Sequence, residues 1–107
     1  MAAIHGCGTA ELAATVSRRS GYGDRSWKQV LADPSIQAVC ICTENSSHEA
    51  LSRQALLAGK HICTEYPIAS SASAARELFR LACSRGAVLH CGMIGLLLPS
   101  HLARKEQ

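Results

Sequence analysis

Apolar and polar positions alternate along this chain in blocks that switch period, from short continuous apolar runs to helical stripes. The clearest block runs from Ala38 to Pro67. Ala38 to Thr43 (AVCICT) is a nearly unbroken apolar run, which predicts a buried strand, and Glu44 to Ser47 is a polar turn. His48 to Ala58 carries Leu51, Ala55 and Ala58 at helical spacing with Leu56 beside them, and predicts an amphipathic helix. Ser46 followed by Glu49 predicts a capping box at its start, and Gly59 a left-handed residue just past its end. After the Gly59-Lys60 turn, His61 to Glu65 predicts a second strand that stops on Tyr66-Pro67. Strand, helix and strand make one βαβ unit, the repeat of a doubly wound parallel sheet.

The flanks extend the pattern. Leu12 to Ser17 reads as a short buried strand, and Ser20 to Asp24 as turn chemistry. Ser26 caps a short helix, Trp27 to Ala32, that Asp33-Pro34 ends. Beyond Pro67, the serines at 70, 71 and 73 open another helix, with Ala75, Leu78, Phe79 and Ala82 on its core face and Gly86 as its stop. Ala87 to Cys91 predicts the next strand. The expected fold class is α/β, a Rossmann-like doubly wound parallel sheet lacking its first strand and glycine-rich loop. Residues 1–11 are expected to form a flexible leader, 12–98 a partial nucleotide-binding domain and 99–107 a polar tail. Gly6-Cys7-Gly8 is a poor match to a phosphate loop: no apolar strand precedes it, and Glu11 stands where the third glycine belongs.

Composition narrows the function classes. The 107 residues carry a net charge of +3 without a clustered basic run, which argues against a nucleic-acid partner. No apolar run is long enough to span a bilayer, and the first residues lack the pattern of a secretory signal. The expectation is a cytoplasmic protein without a membrane partner; its oligomeric state is open. Six cysteines in so short a chain first suggest a disulfide framework, but most fall within apolar strands or a helix, where reduced cysteine packs as a small hydrophobe. Cys40, Cys42 and Cys63 do not follow usual zinc spacings, so no metal site is expected.

Ligands of such sheets sit beyond the carboxyl ends of the strands. The candidates there are Thr43, Glu44, Asn45 and Ser46 after one strand, and Glu65 and Tyr66 after the next. His48, in the first turn of the helix, either reaches a ligand or makes a local hydrogen bond. Ser17, Arg18 and Arg19 end the earliest predicted strand, where an arginine suits a ribose 2′-phosphate; two solvated surface arginines are the equal alternative.

The series Ala38-Val-Cys-Ile-Cys-Thr43, Asn45-Ser-Ser-His48, Ala58-Gly-Lys-His61, Glu65-Tyr66-Pro67, Ala75-Arg-Glu-Leu78 and Gly86-Ala-Val-Leu-His90 resembles the nucleotide-binding domain of the glucose–fructose oxidoreductase / inositol dehydrogenase family. Tyr66 stands where most members carry lysine, and this, with Val16 to Arg19, resembles the branch that reduces the tetrapyrrole biliverdin. The resemblance implies NADPH as cofactor in preference to NADH, held by Ser17, Arg18, Arg19, Thr43 to Ser46 and His48. It implies a small tetrapyrrole substrate, with Tyr66 and Glu65 as catalytic residues. Two other readings remain: a sugar or polyol dehydrogenase, against which Tyr66 speaks, and a non-catalytic binding fragment. The family's central first strand and its substrate-covering domain have no counterpart here, so the chain is expected to be a truncated and inactive form.

Overall fold

The computed structural model describes residues 14–16 and 23–92. In chain order these form α1 (Trp27–Ala32), β1 (Ala38–Ile41), a single 3₁₀ turn (Asn45–Ser47), α2 (His48–Leu57), β2 (His61–Glu65), α3 (Ala72–Arg85) and β3 (Leu89–Gly92). The three strands are parallel, in the order β1-β2-β3. Val39 stands opposite Ile62 and Cys40 opposite Cys63, and Thr64 of β2 lies between Ile41 and Cys91. This is the predicted α/β alternation, with two successive βαβ crossovers.

Residues repeat every second position along a strand, so register decides which side each strand buries. Val39, Ile41, Ile62 and Thr64 share the side covered by the helices, where Leu56 of α2 and Leu78 of α3 are fully buried. Each of those two leucines contributes about 1.5–3 kcal/mol by leaving water. The opposite side is more open, so the strand expected to be buried over 38–43 is fully buried on one face only. Ala38 and Cys40 are only half-buried there, and His61, Cys63 and Glu65 are exposed.

Several local expectations change. Ser46 makes no capping box with Glu49: it lies inside the 3₁₀ turn, and Ser47 is the residue before α2. The Glu49 carboxylate instead meets Arg53 at 3.5 Å, and Arg53 reaches Glu77 of α3 at 3.6 Å. A complete capping box does form at α1, where Ser26 Oγ accepts from Gln29 N and Gln29 Oε1 accepts from Ser26 N. The buried stripe of α2 is His48, Ser52, Ala55 and Leu56, while Ala58 is exposed. Ala55 and Leu56 keep their expected places, and the inward-pointing His48 ring and Ser52 complete the buried face that Leu51 only partly joins. Phe79, expected in the core, is 45% exposed, because Leu78 and Ala82 take the buried side of α3.

Ala14 to Val16, the described part of the predicted first strand, join no sheet. Their polar backbone is occupied otherwise. Thr15 O accepts from Asp24 N at 3.0 Å and Arg25 N at 3.2 Å, and Thr15 N donates to Asp24 Oδ1 at 2.7 Å. Gly59 and Gly86 both have positive φ, 79° and 63°, as their places after α2 and α3 require. Asp33 closes α1; its carboxyl is held below the usual range by the Ser35 hydroxyl first, then the Ser35 N–H and Arg25.

Candidate functional site

Parallel pairing brings the carboxyl ends of β1 and β2 side by side, so the Thr43–Ser47 loop and the Glu65–Pro67 turn face the same end of the sheet. Glu44, Asn45, Ser46, Glu65 and Tyr66 are all exposed there, Tyr66 at 65%. The loop is tied from within. Thr43 Oγ1 and Ser47 Oγ share a 2.8 Å hydrogen bond, and Ser47 Oγ donates to Glu44 O at 2.9 Å. The peptide bond between Tyr66 and Pro67 is cis.

His48 is placed differently from its exposed neighbours. It is fully buried, with Nδ1 2.7 Å from Pro67 O and Nε2 2.9 Å from Thr43 O. Carbonyl oxygens only accept, so each ring nitrogen is the donor when it carries hydrogen. The ring therefore spans the two loops from below. Periodicity marks His48 only as a first-turn residue, and nothing in the sequence pairs it with Pro67.

The chemistry of the exposed groups suits a nicotinamide nucleotide. Asn45 and Ser46 present an amide and a hydroxyl, neutral groups that donate and accept as ribose hydroxyls and a carboxamide require. Ser17, Arg18 and Arg19 lie outside the described residues, as does Gly6-Cys7-Gly8. Among the described residues, no group of His, Cys, Asp or Glu is arranged to hold a metal ion. Nor is any helix among them long and apolar enough to cross a membrane.

Lys60 is a further buried basic side chain, one that residue pattern alone does not reveal. Lys60, assigned to a turn, is 4% exposed, and its ammonium donates to Asp33 O at 2.5 Å and Ile36 O at 2.6 Å. It lies at the amino ends of the strands, opposite the loops described above. The cysteines of the more open sheet side are reduced. Burial first, and then neighbouring Cys63 and Cys42, push the Cys40 thiol up to about 11.

Comparison with known proteins agrees with this geometry. Residues 6–93 match the Gfo/Idh/MocA oxidoreductase family with its NAD-binding Rossmann fold. Mouse biliverdin reductase A is 48% identical over 73 residues, covering 68% of this chain and 25% of its own length. The human protein of that name is 39% identical over 97 residues, covering 86% of this chain and 33% of its own. Among solved structures, biliverdin reductase from Synechocystis sp. PCC 6803, in complex with biliverdin and NADP+, superposes with a TM-score of 0.72 at 38% identity. That match covers 78% of this chain and 26% of the other. The chain thus spans a quarter to a third of the length of these relatives. With its parallel βαβ units and its polar loops at the strands' carboxyl ends, the chain belongs to the Gfo/Idh/MocA family of NAD-binding oxidoreductases.

Proposed function

We propose that this chain is the nucleotide-binding part of an NADPH-dependent reductase of the biliverdin reductase type. The observation that carries the reading is Tyr66, an exposed phenol at the carboxyl end of β2, between Glu65 and Pro67 and beside the Thr43–Ser47 loop. A lysine in that place would bring a fixed positive charge suited to sugar hydroxyl chemistry. A phenol brings a neutral hydroxyl that both donates and accepts. Such a group can orient a pyrrole nitrogen and hand it a proton, with the Glu65 carboxylate beside it as a further acceptor. The cofactor, when bound, supplies the hydride. Asn45 and Ser46 line the cofactor edge, with Thr43 bracing the loop behind them. Ser17, Arg18 and Arg19 hold the 2′-phosphate and set the preference for NADPH.

The test is a titration of the 107-residue chain with NADPH and with NADH, followed by cofactor fluorescence. Saturable binding that favours NADPH is expected, and Arg18→Ala should erase most of that preference, a loss of about tenfold or more for one charge-assisted phosphate contact. An NADPH-to-NADH ratio unchanged by Arg18→Ala removes the 2′-phosphate assignment. Absence of binding removes the cofactor reading for this chain.

A further inference from the structure

His48 joins the two loops that carry every exposed candidate among the described residues. One ring nitrogen meets the carbonyl of Thr43, which opens the β1 loop, and the other meets the carbonyl of Pro67, which follows Tyr66. The ring itself is 0% exposed, so it has no surface with which to touch a ligand in the crevice. Tyr66 meanwhile stands between two anchored points. On one side Glu65 is paired in register with Gly92 of β3; on the other, Pro67 O is bound to His48. A backbone fixed at both neighbours fixes where the Tyr66 Cα–Cβ bond leaves the turn, and so the region its ring can sweep.

We propose that His48 is a positioning residue: its buried imidazole clasps the loop after β1 to the turn after β2, and so sets where Tyr66 stands relative to the cofactor crevice. The inference deepens the reading of Tyr66 given above and rests on it for its functional meaning. The clasp itself is a property of the chain without ligand. A buried hydrogen bond in a low-dielectric setting resists opening, and the segments it joins then open together. The substrate-side turn and the cofactor-side loop are thereby one mechanical unit, although 19 residues separate His48 from Pro67.

Amide hydrogen exchange on the 107-residue chain tests this directly. His48→Phe keeps a ring but removes both ring nitrogens; exchange is expected to rise by about tenfold in residues 43–48 and in 65–69 together, with α3 unchanged. His48→Gln keeps one amide donor and should restore protection to part of that range, which a purely steric role for the ring does not predict. A rise confined to one of the two segments, or spread evenly through the chain in both variants, overturns the clasp. The same variants are then titrated with NADPH. Affinity within about threefold of the unsubstituted chain agrees with a ring that lies beneath the crevice. A loss in His48→Gln as large as that in Asn45→Ala would make His48 a ligand contact and overturn the proposal. If the unsubstituted chain binds no NADPH, the proposed function fails while the exchange result still decides the clasp.

Discussion

Tyr66 and Cys40 show how much of a side chain's chemistry is set by a single position. Tyr66 is the most exposed of the large hydrophobic side chains among the described residues, yet its backbone is held on either side. In a chimera carrying residues 14–92 in place of the matching segment of mouse biliverdin reductase A, Tyr66→Phe removes only the hydroxyl. It should lower kcat by about 10²-fold or more, the usual worth of a positioned acid, while NADPH affinity stays put. Unchanged turnover, read as bilirubin absorbance, would leave Tyr66 without its catalytic role. Cys40 makes the opposite case, a reactive group kept quiet. With its thiol pushed up from 9.0 to about 11, its thiolate fraction at pH 8 is about a hundredfold below that of an ordinary cysteine. Alkylation of Cys40 by iodoacetamide, followed by peptide mass spectrometry, should be slow at pH 8 and climb steeply up to pH 11. Fast labelling at pH 8 would contradict the burial that causes the shift.

At the scale of elements, the sequence made the βαβ alternation readable because each segment satisfied its own period. Trp27–Ala32 and His61–Glu65 match their predicted bounds residue for residue. Legibility failed where two local solutions competed. Ser46 and Glu49 have the spacing of a capping box, but a 3₁₀ turn with the Thr43–Ser47 hydroxyl pair satisfies the same loop. Leu12 to Ser17 has a strand's composition, yet Thr15 takes its hydrogen bonds from the Asp24 turn. The site was legible in part. The loop ends of β1 and β2 follow from topology alone, whereas the burial of His48 and Lys60 depends on backbone carbonyls that leave no trace in residue type. Lys60 links the end of α1, the approach to β1 and the turn before β2. Lys60→Met, close in size but without donors, should destabilise the chain by about 1–3 kcal/mol, because the Ile36 carbonyl loses its buried charged donor. Urea unfolding monitored by the fluorescence of Trp27 measures it; a midpoint equal to that of the unsubstituted chain would mean that water replaces the ammonium.

For the molecule as a whole, coverage is uneven. Helices bury one side of the sheet, while at β2 the other side leaves His61, Cys63 and Glu65 exposed. The chain's matched segments cover only 25–33% of the length of its relatives. Among the described residues the two deeply buried basic side chains, His48 and Lys60, sit at opposite ends of the same βαβ unit, and all four of their partners are main-chain oxygens. Main-chain oxygens are present whatever the side chain, so the burden of holding the unit shut falls on two codons rather than six. The fastenings themselves therefore ask nothing of the side chains they grip, and exposed positions such as 44, 45 and 46 on the crevice lip can be rewritten for a new ligand while the hinge pins beneath stay in place.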